Sequence, residues 1–126
     1  MKANELMIDD WVLLNEIQCQ VEEISRKGWV HLTFDGCRMS MSSDYVLDLL
    51  KPIPLTPEIL EKNGCTRYGK VYANLQQWIL KVGDKRKSFV QDIRTGGWNI
   101  TDYWIKYVHE FQHALKLCKI EKEIEL

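Results

Sequence analysis

The sequence predicts an α+β chain: an N-terminal SH3-like small β-barrel over residues 1–53, followed by a helix, a small antiparallel sheet and a long C-terminal helix over residues 54–126. Three observations carry that expectation. Short β-branched and aromatic runs, separated by turn dipeptides, fill the first fifty positions. The stretch Lys51-Pro52-Ile53-Pro54-Leu55 then divides the chain, and its prolines exclude a central strand because they remove ladder donors. Beyond residue 100 the apolar spacing becomes helical. The halves are expected as two units, separate or sharing one core.

The elements follow in order. Met7-Ile8-Asp9-Asp10 reads as a turn feeding a strand at Trp11-Val12-Leu13-Leu14, and Cys19, Val21 and Glu23 alternate with Gln20, Glu22 and Ile24 in a second strand. Ser25-Arg26-Lys27-Gly28 is a turn, Trp29–Phe34 a third strand, and Asp35-Gly36 a hairpin dipeptide. Cys37, Met39 and Met41 alternate with Arg38 and Ser40, and Tyr45-Val46-Leu47 begins a further strand or a single 3₁₀ turn. Thr56 caps a helix with Pro57 at its first position, and Asn63-Gly64 stops it. Strands return at Tyr68–Ala73, Leu75–Val82 and Ser88–Ile93, with a turn over Gly83–Lys87 and a loop at Thr95-Gly96-Gly97. Thr101 or Asp102 is the expected cap of the closing helix, which runs to about Lys119.

Composition narrows the class. The chain has 126 residues, 45% hydrophobic and 28% charged, which fits a globular protein rather than a disordered one. No leader-like apolar run follows Met1, and clusters such as Trp11–Leu14 are too short to span a bilayer. The expectation is a cytoplasmic protein with no membrane partner. Cys19, Cys37, Cys65 and Cys118 are scattered without a Cys-x-x-Cys pair, so they read as reduced, small hydrophobes in or near the core.

Charge is unevenly spread. Residues 1–61 hold 5 Lys/Arg against 11 Asp/Glu, whereas residues 62–94 hold 8 against 2. In that basic segment Arg67, Lys70, Lys81, Lys85, Arg86, Lys87 and Arg94 are interleaved with Tyr68, Tyr72, Trp78, Phe89 and Trp98. Cations for phosphates beside rings for stacking are what single-stranded nucleic-acid binding requires. The binding candidates are Arg67, Lys70, Trp78, Lys85, Arg86, Lys87 and Arg94. The competing readings are a sheet whose aromatics turn inward and whose charged turns keep it soluble, or a seam where the acidic half docks.

The segments Leu6-Met7-Ile8-x-Asp10-Trp11-Val12, Lys51-Pro52-Ile53-Pro54-Leu55-Thr56-Pro57-Glu58-Ile59-Leu60 and Tyr107-Val108-His109-x-x-Gln112 resemble a family of short uncharacterised proteins from prophages and mobile elements of Bacteroides-type gut bacteria. The resemblance implies a small cytosolic accessory protein, brings no activity with it, and does not require Glu at 110 or His at 113.

The sharpest local signal is His109-Glu110-Phe111-Gln112-His113, a His-Glu-x-x-His. On a helix its two imidazoles share a face and can hold zinc while the glutamate acts as general base. Three features oppose a minimal zinc-dependent metallopeptidase. The stripe of Trp104, Tyr107, Val108, Phe111, Ala114, Leu115 and Cys118 turns His109 and His113 toward solvent. Lys106 and Lys116 lie on that same outward face. The third-histidine position of the extended motif is Lys119, which leaves His31 as the candidate third ligand and Glu110 as the only candidate base. The sequence thus points to a non-catalytic binding or accessory protein without a required cofactor, zinc being the one candidate. Its partner is an unidentified host or phage macromolecule, a protein ahead of a nucleic acid.

Overall fold

A computed structural model describes residues 5–26, 28–100 and 103–126. The chain is mostly β, with two antiparallel sheets of five strands each and three short helices among the described residues. This corrects the expected α+β class with a long C-terminal helix: the chain is mostly β, and its last helix has only ten residues. It divides into two compact units, Met1–Ile53 and Pro54–Leu126.

In the first unit, β1 (Trp11–Leu14), β2 (Ile17–Ile24), β3 (Trp29–Phe34) and β4 (Cys37–Ser42) form a meander, and β5 (Leu50–Pro52) returns beside β1. The strand order is β4-β3-β2-β1-β5, a four-strand meander whose first strand also pairs with the last. Pro52 is tolerated because β5 lies at the edge. The β3–β4 hairpin turns on Asp35 and Gly36, both with positive φ (47° and 75°), as a type I′ turn demands. Tyr45–Leu47 lies in a helix, α1 (Ser43–Leu49), rather than in a strand or 3₁₀ turn. Val12, Leu14, Cys19, Val21, Val30, Leu32, Val46 and Leu50 form the unit's core.

The second unit opens with α2 (Pro57–Lys62), where Thr56 Oγ1 accepts a hydrogen bond from Ile59 N at 3.3 Å. The helix gives way at Gly64, whose φ of +85° suits glycine. The second sheet follows: β6 (Cys65–Tyr72), β7 (Leu75–Val82), β8 (Lys85–Asp92), β9 (Trp98–Asn99) and β10 (Trp104–Ile105), in the order β10-β9-β8-β7-β6. The turn between β7 and β8 is only Gly83-Asp84, so Lys85–Lys87 belong to a strand rather than to a turn.

The last helix, α3 (Val108–Leu117), has ten residues. It is shorter than its apolar stripe predicts because Trp104-Ile105 pairs with Trp98-Asn99 as strand. The caps expected at Thr101 or Asp102 lie outside the described residues. Trp78, Phe89, Trp98 and Phe111 are buried together, with ring centroids 5.6 Å apart for Trp78–Trp98, 6.1 Å for Phe89–Trp98 and 5.7 Å for Phe89–Phe111. Phe111 thereby ties α3 to the sheet. Residues 120–126 form no helix or strand, but buried Ile120 and Ile124 pack inward and Asn63 holds the backbone of Glu125 from both sides.

Candidate functional site

Directly paired residues of an antiparallel sheet point to the same face, and the faces alternate along each strand. In the second sheet one face carries Trp78 opposite Phe89, Leu80 opposite Lys87, and Trp98 opposite Ile105, and it is the aromatic core. The other face carries Thr66, Ile79 and Ser88 in one row, Lys81 opposite Arg86, and Val90, Asn99 and Trp104 in another. Two register shifts interrupt β6, between Arg67 and Gly69 and between Lys70 and Tyr72, as β-bulges do when they re-aim side chains. Tyr68, Tyr72 and Trp104 are 66%, 73% and 54% exposed.

A cavity of about 180 Å³ opens on this outer face, lined by Gly64, Thr66, Tyr68, Ile79, Lys81 and Arg86. Its lining has apolar, aromatic, hydroxyl and cationic groups, and among the described residues no carboxylate. Lys81 and Arg86 stand directly opposite across the β7–β8 ladder. Like charges in that position repel, and among the described residues no carboxylate lies within ion-pair distance of either. A bound anion relieves that repulsion.

Of the predicted nucleic-acid residues, only Arg86 lines this cavity. Trp78 is fully buried, with the Arg67 guanidinium 5.1 Å from its ring centroid, while Arg67 Nη2 lies 4.0 Å from Glu61 Oε1. Lys85 Nζ donates to the carbonyl of Lys119 just beyond α3, and half-buried Lys87 shares the face of Leu80. Exposed Lys70 pairs in register with Gln76. Arg94 lies in the turn after β8, its N–H donating to Asp92 Oδ1 at 3.0 Å and its Nε 4.0 Å from that oxygen. The sequence reading missed Thr66, Ile79 and, above all, Trp104, which it assigned to the helix stripe. Strand parity counted outward from the Gly83-Asp84 turn is the signal that finds Lys81 opposite Arg86.

The His-Glu-x-x-His segment has a different role. Glu110 Oε1 accepts from the N–H of Lys106 at 3.1 Å and of Tyr107 at 3.2 Å, so the carboxylate closes the N-terminus of α3 as the acidic half of a capping box. His109 is 6% exposed, contrary to the solvent-facing position its periodicity predicts. Gln112 is buried with it, so the covered arc of α3 is wider than the Phe111 stripe. The His109 ring stacks on Tyr107 (centroids 6.0 Å apart, planes 14° apart) and meets half-buried His113 edge-on at 5.6 Å. His31 belongs to β3 of the first unit, its Nδ1 hydrogen-bonded to Ser40 Oγ. Among the described residues no group of three His, Cys, Asp or Glu gathers to hold a metal ion.

The four cysteines are free; Cys19 and Cys65 are buried, Cys118 half-buried, and Cys37 exposed on β4 rather than in the core. Burial pushes the Cys65 thiol up to about 12, with Lys122 pulling weakly the other way, and burial also raises Cys19. Neither is suited to nucleophilic work. Among the described residues no helix is long and apolar enough to cross a membrane. No protein-family model, curated protein or solved structure matches this chain.

Proposed function

We propose that the protein is a non-catalytic binding protein that takes single-stranded nucleic acid on the outer face of its second sheet. The observation that carries this reading is the pairing of Lys81 with Arg86, with no carboxylate within ion-pair distance among the described residues, on the same face as exposed Tyr68, Tyr72 and Trp104. An unpaired strand offers two complementary features, phosphates for the cations and bare base faces for the rings. A duplex hides its base faces in the stack, so it engages the cations alone. The same argument favours nucleic acid over the protein partner expected from sequence. A protein partner is not required to bring regularly spaced anions and flat aromatic surfaces together.

The test is fluorescence anisotropy with a labelled single-stranded oligonucleotide, and with its duplex as comparison. The single strand binds more tightly than the duplex, and Trp104→Ala or Tyr72→Ala each removes about 1–3 kcal/mol, the loss expected for one base–aromatic stack. Both side chains are more than half exposed, so the variants keep the fold. Equal affinity for duplex and single strand, with both variants silent, sinks the proposal.

A further inference from the structure

We infer that the cavity lined by Thr66, Tyr68, Ile79, Lys81 and Arg86 is a subsite for one nucleotide unit, its base against Tyr68 and Ile79 and its phosphate on Lys81 and Arg86. This rests on the reading of the outer face as a nucleic-acid surface and adds where a strand is anchored. The cavity, at about 180 Å³, suits a single planar base; pockets for drug-sized ligands are larger, at roughly 300–1,000 Å³. Ile79 is 4% exposed and supplies an apolar surface, while Tyr68 supplies an aromatic one. Gly64 keeps the rim low, with open space where a Cβ would stand.

The polar groups match the rest of a nucleotide. Arg86 presents a planar fork to two phosphate oxygens, and Lys81, directly opposite, adds a compact point charge. The Thr66 hydroxyl both donates and accepts, so it meets either kind of base-edge group. A wholly apolar ligand leaves the two cations repelling each other. A bare phosphate leaves the exposed tyrosine ring wet. A nucleoside monophosphate satisfies both halves.

The experiment is an amide chemical-shift titration of the full chain with a nucleoside 5′-monophosphate, the matching nucleoside and inorganic phosphate, beside anisotropy with the labelled oligonucleotide. The monophosphate is expected to shift Thr66, Tyr68, Ile79, Lys81 and Arg86, with the nucleoside and phosphate each at least roughly ten-fold weaker because each lacks one half of the contacts. Tyr68→Ala and Arg86→Gln abolish the monophosphate shifts. They weaken the oligonucleotide roughly ten-fold without abolishing its binding, since Tyr72 and Trp104 remain. The amide spectrum also reports that each variant is folded. If inorganic phosphate binds as well as the monophosphate, the base half of the subsite is wrong. If the oligonucleotide binds and both variants are silent, the subsite fails while the surface stands. If the monophosphate binds and the oligonucleotide does not, the surface fails and the subsite stands alone. If neither binds, both are overturned.

Discussion

Replacing Glu110 separates a helix cap from a catalytic base. Its Oε1 receives two backbone N–H groups, from Lys106 and Tyr107, at the N-terminus of α3. Losing a capping interaction costs about 1 kcal/mol, and removing a negative charge from a helix N-terminus costs about 0.3–1 kcal/mol more. Glu110→Ala should therefore destabilise the second unit by about 1–2 kcal/mol. Glu110→Gln keeps an acceptor oxygen and loses only the charge, so it should cost about 0.5 kcal/mol. The assay is urea denaturation followed by tryptophan fluorescence, because Trp78 and Trp98 are buried in that unit. In a thermal scan the alanine variant should melt several degrees lower, at about 4–8 °C per kcal/mol for a unit of this size. A general base behaves in the opposite way: glutamine is as damaging as alanine to activity, and neither need move stability. Equal stabilities for the two variants and the parent, with a zinc-dependent hydrolysis lost in both, would refute the capping account.

Three further outcomes follow from the packing. Asn63 is 3% exposed, and its amide makes three hydrogen bonds, to Ile59 O (2.8 Å), Glu125 O (2.7 Å) and Glu125 N (2.7 Å). Asn63→Ala should cost about 2–3 kcal/mol and speed amide exchange at Ile124 and Glu125; unchanged exchange there would show that the side chain does not hold the segment. Glu16 sits at φ 67° in the turn joining β1 to β2, and its Lys51 partner is 4.0 Å away and largely exposed. Glu16→Gly should stabilise the first unit by about 0.5–1 kcal/mol, since a left-handed conformation is costly for any residue with a Cβ and the exposed ion pair adds little; a lower denaturation midpoint would contradict this. The folded Cys65 thiol lies at about 12, above its ordinary 9.0. Its contribution to stability is therefore whole below pH 9 and is lost as pH rises from there toward 12. The urea midpoint should fall across that window, and Cys65→Ala should flatten the fall; an identical decline in both proteins assigns it to other groups.

Features set by one or two residues with few conformational options were legible in the sequence. Asp35-Gly36 marked the β3–β4 turn, Thr56-Pro57 the start of α2 and Gly64 its end, since each relies on a local backbone preference. The run Leu75–Val82, closed by the turn at Gly83, placed β7 at its observed bounds. Tertiary competition decided the rest. Trp104 and Ile105 fit a helical stripe, yet a two-residue strand carries no periodicity of its own, and pairing with Trp98 and Asn99 drew them into the sheet. Asn15-Glu16 turns the chain with no glycine, so Asn15 was its one compositional mark. Tyr45–Leu47 is too short a run for period alone to separate strand from helix.

The site was legible as a composition and misassigned as a set of residues. Basic and aromatic residues were grouped by nearness along the chain, whereas a sheet sorts them by parity. Parity sends Trp78 and Phe89 to the core face with Lys87, and puts exposed Lys81 and Arg86 on the opposite face beside buried Ile79. Lys85 was claimed by the carbonyl of Lys119, a contact far away in sequence. The histidine motif misled for a related reason. A glutamate three residues into a helix is a capping residue as readily as a catalytic one, and the spacing of the letters is the same.

The most direct test of the central claim is the salt dependence of single-strand binding in the parent, Lys81→Ala and Arg86→Ala proteins. Each phosphate contact contributes about 0.7 to the slope of log affinity against log salt for a single strand. The account predicts tight binding at low salt that weakens steeply, with each substitution lowering the slope by about 0.7 as one contact is lost. Parent slopes retained in both variants, or no binding at low salt, would contradict it.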